Sequence, residues 1–349
     1  MPAPEKVKTL HLLTGPTAVG KSALALAWAE AHGAEILSCD ALQIYRGMDI
    51  GTAKPSAATR ARVPHHGLDL REPARTYSVA EYRDYAVQAV AGIHARGRNV
   101  LVVGGSGFYL KSFFAPVADD VEIPPAVEAE VRALDAGGGL SALVERLRAA
   151  SPAGTGAVDL QNPRRVARAL ARCLASGKSV PELAAAFAQK GTPFDLLEKK
   201  MVRLERDTAA LEIRIRARTA EMLERGLIGE TRALADALRA NPAAGSAIGY
   251  RETLAWLDAG ATSPQSTLAE EISLHTLQLV KKQRTWFRTQ LPEHRLVNLT
   301  TDTVVESTEL FNFSACSSKP FQKSFGQNEQ NLEHSPGADG NPVNFINSV

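Results

Sequence analysis

Apolar and polar positions divide the chain into a first third of alternating strands and helices, a helical middle and a helical end. Residues 10–13 form a short unbroken apolar run of the kind a strand buried on both faces needs. Strong helix formers follow over 23–29 and stop near Gly33. Residues 35–39 read as a second strand, 99–103 as the clearest strand in the chain, and 201–205 as a return strand. Ser78 and Glu81 form a capping box that opens a helix to about Arg96, closed by Gly97. Residues 67–70 are a further strand candidate. The stretch from Ala41 to Pro55 has neither period and reads as a long loop, the kind of segment in which functional residues concentrate.

From about Ala118 the alternation stops, where Asp119, Asp120, Glu122 and Pro124-Pro125 interrupt it. Helices are then predicted over about 127–134, 140–150 and 163–176. The last has Asn162 as N-cap, Pro163 in its first position and Gly177 as its stop. Asp207 is the candidate N-cap of a helix to Arg225, with Leu211, Ile215, Thr219 and Met222 along one stripe. Helices over 231–240 and 267–290 flank a short glycine turn, Ser246 to Glu252, whose polar residues are expected at the surface. Beyond Asp302 the chain turns rich in Ser, Asn, Gln and Gly and is expected to be disordered.

The most specific chemistry lies in Gly15-Pro16-Thr17-Ala18-Val19-Gly20-Lys21-Ser22, which fits the G-x-x-x-x-G-K-[ST] phosphate loop. An apolar strand before it and a helix after it aim backbone N–H groups and a helix dipole at one anion, with Lys21 as a point charge and Ser22 as a hydroxyl for phosphate or Mg²⁺. The fold class expected is therefore α/β: a P-loop core with a parallel sheet flanked by helices, plus a small all-helical insertion. The boundaries are 1–117 for the first part of the core, 118–192 for the insertion, 193–301 for the continuation of the core and 302–349 for the tail.

Other residues extend the picture. Asp40 ends the second strand, where it either faces the ligand crevice of an open α/β sheet or caps the next turn. Gly104-Gly105-Ser106-Gly107 is a second glycine turn at a strand end, where a substrate can approach the backbone. Strand 99–103 thus ends in glycine rather than in the acid an ATP-hydrolysing partner strand would carry. His65 and His66 have no Cys, Asp or Glu cluster at ligand spacing, so packing or local hydrogen bonding is expected of them. Arg164, Arg168 and Arg172 recur every fourth residue with Arg165 beside them, and no acid occurs between Asp159 and Glu182. Lys281, Lys282, Arg284 and Arg288 surround Trp286 and Phe287. Both basic segments suit phosphates of a nucleic acid, the second with aromatic interleaving.

Over the 349 residues the balance is 40 Lys+Arg against 38 Asp+Glu, a net +2, so a nucleic-acid partner needs locally concentrated bases. Cys39, Cys173 and Cys316 lie far apart, without zinc spacing or a disulfide framework, which suits a reducing compartment. Neither a signal-peptide core nor a membrane-length apolar run is seen, so a cytoplasmic protein without membrane association is expected.

Together these segments resemble the tRNA dimethylallyltransferases (the IPP transferase family). The resemblance rests on the P-loop with its Pro-Thr, on Ile44 through Pro55, His65-His66, Gly104 through Leu110, Asn162-Pro163-Arg164-Arg165, Ile248-Gly249-Tyr250-Arg251 and Lys282 through Phe287, in family order over about 9–290. It implies transfer of the dimethylallyl group of dimethylallyl diphosphate to N6 of adenosine 37 in tRNAs that read codons beginning with U, with pyrophosphate leaving. It further implies Asp40 as general base and Lys21, Ser22, Mg²⁺ and Arg214 as stabilisers of the diphosphate. tRNA contacts are implied for Asp40, Ala41, Leu42, Gln43, Ser106, Gln161, Asn162, Pro163, Arg164, Arg165, Ala247, Ile248, Gly249, Tyr250, Arg251, Lys281, Lys282 and Gln283. The insertion would clamp the anticodon stem-loop, and the enzyme would act as a monomer. Ala41 departs from the family's usual serine, and the Glu128 region lacks a common arginine. The competing readings are an adenylate isopentenyltransferase, a P-loop small-molecule kinase, and an RNA-binding protein with an inactive loop.

Overall fold

Six parallel strands in the order β3-β2-β4-β1-β5-β6 form the sheet of the computed structural model, which describes residues 8–119, 121–299 and 310–312. The strands are β1 (Thr9–Thr14), β2 (Ala34–Cys39), β3 (His65–His66), β4 (Asn99–Gly104), β5 (Glu198–Glu205) and β6 (Arg295–Asn298). Helices α1 (Lys21–His32), α2 (Ala57–Arg62), α3 (Val79–Ala95) and α4 (Gly107–Lys111) belong to the first part of the chain. Next come α5 (Pro125–Ala150), α6 (Pro163–Ser176) and α7 (Val180–Ala188). The last third holds α8 (Thr208–Glu224), α9 (Leu227–Ala240), α10 (Pro242–Gly245), α11 (Tyr250–Asp258) and α12 (Gln265–Gln290).

Both faces of the sheet are covered, which is why its strands read as continuous apolar runs. Leu10, Leu12, Val100, Val102 and Met201 pack on one face with Tyr82, Ala86 and Ile93 of α3 and with Ile272 and Phe287 of α12. Leu13, Ile36, Leu101, Val202 and Leu204 pack on the other with Ala25, Trp28 and Ala29 of α1 and Leu211 and Ile215 of α8. Helices α5 to α7 have an apolar core of their own, built on Val131, Leu143, Leu147, Val166, Leu170, Cys173 and Leu183. Within α5 the backbone leaves helical geometry at Gly139 (φ 58°, ψ −154°), between the two helices expected there.

Several elements differ from the sequence expectation. The strand candidate at 67–70 is instead a bend without regular structure after the two-residue β3. Helix α9 starts at Leu227, after Gly226 in a left-handed conformation, rather than at Thr231. The stretch 246–252, expected as an exposed turn, runs into α11, and there Tyr250 is fully buried and Glu252 almost so. Glu252 accepts from the Gly249 N–H (2.7 Å) and pairs with Arg251 and His275, so its charge is met within the fold. The tail expectation fails at Leu310 and Phe311, which are buried, Phe311 edge-on to Trp28 and His11. The rest of that expectation lies outside the described residues. Among the described residues no helix is long and apolar enough to cross a membrane.

Candidate active site

The carboxyl ends of β1, β2, β4 and β5 meet on one side of the sheet, where ligands of open α/β folds bind. The phosphate loop leaves β1 there. Its turn requires glycine at position 15: φ is +148°, and a Cβ would stand 2.6 Å from the Leu204 carbonyl oxygen of β5. Gly20 (φ 115°) starts α1, whose first amides have no side-chain cap and lack intrahelical partners. Lys21 Nζ donates to the carbonyls of Gly15 and Pro16, both at 2.8 Å, and Ser22 is exposed on the first turn. Burial pulls Lys21 from its ordinary 10.5 down to about 8; the Asp40 charge works against that fall and Arg218 adds to it.

Asp40 follows β2. Both local readings of it hold: Oδ1 accepts from the amides of Leu42 (2.9 Å) and Gln43 (3.4 Å), capping the turn, while Oδ2 accepts nothing from the described residues. Ser106, in the turn after β4, accepts from the Ala41 N–H at 2.9 Å and so ties that turn to the one holding Asp40. Thr14 donates to the Gly104 carbonyl (2.9 Å), joining the ends of β1 and β4.

Helix α8 brings its arginines to the same loop. Arg214 donates to the Ala18 carbonyl at 2.7 Å, and Arg218, one turn on, to the Thr17 hydroxyl at 3.3 Å. Burial lowers the Arg218 pKa while Asp40 and Glu221 raise it. Arg218 was missing from the sequence-derived site; its spacing from Arg214 off the apolar stripe of α8 was the available signal. Asp40, Lys21 and Arg218 therefore share one electrostatic environment, although they come from three separate segments.

Helix α12 braces the strand-end loops. Gln283 accepts from the Thr17 N–H (2.9 Å) and donates to the Gly105 carbonyl (3.2 Å). Trp286 lies against Gly107, where a Cβ would stand 2.6 Å from the indole ring. Arg284 holds Glu205 at 2.8–2.9 Å and donates to Thr208. Glu205 is the acid at the end of β5, beside β1, which the sequence reading overlooked. Arg284 and the Arg206 N–H both bond one of its oxygens, Oε1.

The remaining predicted residues sit as follows. Gln43 is turned inward, accepting from Ser38 (2.9 Å) and donating to Thr52 O (3.3 Å). The loop around it is held by buried Lys54, which bonds Asp49, Asp69 and Tyr45 O at 2.6–2.7 Å, and by Glu230, which accepts from the amides of residues 49–51 and from Tyr250 Oη. His65 bonds Val63 O at 2.7 Å, locally as expected, whereas His66 pairs at 2.6 Å with Glu35 of the neighbouring strand β2. Ala247 is buried, Gly249 has φ 97°, and Lys281 and Lys282 are exposed on α12. In the insertion Gln161, Pro163, Arg164 and Arg165 are exposed, and the Asn162 side chain caps α6. The basic face of α6 is less one-signed than its sequence: Asp119, at the start of the insertion, pairs with Arg172, and Asp159 lies 3.6 Å from Arg165.

Among the described residues no three His, Cys, Asp or Glu side chains cluster as a metal centre. A cavity of about 430 Å³ beside the loop is lined by Glu205, Arg206, Asp207, Thr208, Arg284, Asn298 and Leu299. Another, of about 590 Å³, lies at the root of the insertion between Arg83, Ser112, Lys190 and Pro193.

A glycine loop between the central strand of a parallel sheet and a helix places the chain in the P-loop class. Within that class it belongs to the IPP transferase family, whose model matches residues 43–290. The matched span begins after the phosphate loop and Asp40, so those residues are placed by geometry and motif. A tRNA dimethylallyltransferase of Opitutus terrae is 55% identical over 290 residues, 83% of this chain and 92% of that one. The crystal structure of a full-length tRNA isopentenylpyrophosphate transferase from Bacillus halodurans is similar at 31% identity and a TM-score of 0.59, covering 83% of this chain and 90% of that one. A eukaryotic dimethylallyltransferase crystallised acting on tRNA shares the fold at 23% identity and a TM-score of 0.73, over 83% of this chain and 74% of that one.

Proposed function

We propose that this chain transfers the dimethylallyl group of dimethylallyl diphosphate to N6 of adenosine 37 in tRNA, releasing pyrophosphate. One observation carries the reading: an Asp40 oxygen unclaimed by the fold lies within electrostatic reach of Lys21 and Arg218 at the phosphate loop. An anion of high charge and a group that must lose a proton are thereby served side by side. The adenine amine is a poor nucleophile, and Asp40 Oδ2 accepts its proton as the N6–carbon bond forms. The carbon–oxygen bond to the diphosphate breaks, and Lys21, Arg214, Arg218 and the amides opening α1 meet the charge that builds there. The donor set suits Mg²⁺, which takes few protein ligands and relies on substrate phosphates; the Ser22 hydroxyl would hold it. When bound, Mg²⁺ neutralises charge on the leaving diphosphate. Lys281, Lys282 and the exposed Arg164, Arg165 and Arg168 engage tRNA phosphates, and the insertion grips the anticodon stem-loop. The target adenine leaves the loop stack to reach Asp40, at a cost of about a few kcal/mol.

The kinase reading is disfavoured by the IPP transferase family to which the chain belongs. The test is incubation with Mg²⁺, labelled dimethylallyl diphosphate and unmodified tRNA carrying A36-A37, beside tubes holding AMP as acceptor or ATP as donor. Label at A37 supports the proposal. Label only in AMP, or phosphate released only from ATP, overturns it.

A further inference from the structure

We propose that Gln283 is a positioning residue that sets the distance between the diphosphate site and the acceptor site, rather than a contact to tRNA. The inference rests on the reading that the phosphate loop holds the donor.

The Gln283 amide is used at both ends. Its oxygen takes the Thr17 N–H at 2.9 Å, and its nitrogen donates to the Gly105 carbonyl at 3.2 Å. Only an uncharged amide supplies one acceptor and donors on a side chain of this reach: glutamate accepts only, lysine donates only, and methionine does neither usefully. The bonds join loops that follow different strands, β1 and β4. They have consequences on each side. Thr17 is fixed through its N–H by Gln283 and through its hydroxyl by Arg218, so one loop amide is withdrawn from the anion cradle. Gly105 sits so close that a Cβ there would lie 2.9 Å from Gln283 Nε2 and 3.2 Å from Gly15 O. The next residue, Ser106, holds the Ala41 N–H beside Asp40. Phosphate loop, Gln283, Gly105, Ser106 and the Asp40 turn thus form one unbroken series of contacts. The same stretch of α12 is anchored by Arg284 on Glu205 and by Trp286 on Gly107. The helix therefore presents Gln283 on a fixed support, half-buried behind the loops, and not on the exposed face that carries Lys281 and Lys282.

The experiment compares wild type with Gln283→Met, which keeps the shape without the bonds, and Gln283→Glu, which keeps the Thr17 acceptor and faces Gly105 O with a second acceptor. Measured are donor KM, kcat and the Kd for tRNA at one salt concentration. Loss of two neutral hydrogen bonds predicts a fall of roughly ten- to thirty-fold in donor kcat/KM for Gln283→Met. The fall is at least as large for Gln283→Glu, whose charge adds repulsion toward the diphosphate. The Kd for tRNA stays within about twofold in both, since no phosphate contact is removed. A weakened tRNA Kd with unchanged donor constants makes Gln283 a tRNA contact and overturns the inference, as does a lack of change in every constant. If Gln283→Met proves unstable by thermal melting, the near-isosteric Gln283→Glu carries the test alone. Failure of wild type to label tRNA sinks the functional reading instead, so the two failures are separable.

Discussion

Raising the pH through 8 should strip the unliganded enzyme of the cation that receives the diphosphate. Burial holds Lys21 at about 8 against an ordinary 10.5, with Arg218 pushing in the same direction and Asp40 opposing. That gap corresponds to about 3 kcal/mol against the charged form. At pH 9 about a tenth of the free enzyme keeps the charge, so kcat/KM for dimethylallyl diphosphate should fall about tenfold for each pH step above 8. Saturating donor changes the outcome. A phosphate oxygen about 4 Å from Nζ contributes about 4 kcal/mol at an effective dielectric near 20, enough to restore the cation. The kcat profile should therefore stay level to about pH 9.5 while kcat/KM breaks near 8.

Unfolding cannot imitate this break. Between pH 8 and 10.5 the unfolded chain binds more protons at Lys21 than the folded one, so this group's contribution to stability rises with pH in that window. Melting curves at pH 7.5 and 9 serve as the control. In Lys21→Arg the guanidinium stays charged throughout, and the break should vanish at whatever rate remains. A wild-type kcat/KM that stays level to pH 9.5, or the same break in Lys21→Arg, would refute the reasoning.

Three further outcomes follow from single contacts. Asp40→Asn keeps an Oδ1 for the amides of Leu42 and Gln43, so it should fold and bind tRNA normally while turnover drops by roughly 10²–10⁴; single-turnover transfer at wild-type rate would remove Asp40 as base. Arg164→Ala with Arg168→Ala should lower the slope of log Kd for tRNA against log salt by about 2, whereas Arg172→Ala, whose partner is Asp119, should leave that slope unchanged and lower the melting temperature. Phe311→Ala removes a buried ring packed on Trp28 and His11 and should cost about 3 kcal/mol in urea unfolding; an unchanged midpoint would mean that 310–312 do not stabilise the core.

What could be read from the chain was what neighbouring residues decide. The run 10–13, the glycine loop and the helix after it announce themselves because strand, turn and helix N-terminus each have local requirements. The capping boxes and the Asn162-Pro163 start of α6 are local in the same way. Partnership across the fold was not legible. Nothing near Glu252 in sequence tells that its carboxylate meets His275, or near Arg172 that Asp119 neutralises it. Polar residues in an irregular stretch suggested exposure for 246–252 and function for the loop 41–55. In 246–252 Glu252 takes the Gly249 amide, and in the loop 41–55 Glu230 and Lys54 satisfy backbone groups that a buried loop would otherwise leave unpaired.

The same distinction explains why the family pattern and the geometry divide the labour at α12 differently. A basic, aromatic-bearing helix end suggests a nucleic-acid surface, and Lys281 and Lys282 are exposed there. Gln283, Arg284 and Trp286, which follow them in sequence, are only partly exposed and hold the loops after β1, β5 and β4 respectively. Helical periodicity makes this double use possible, since consecutive residues lie about 100° apart around the axis. A tRNA pressing on the lysines thus bears on the helix that fixes the phosphate loop. Under the proposed roles, acceptor binding and donor-site geometry are linked through α12, and the Gln283 variants test that link without touching either substrate.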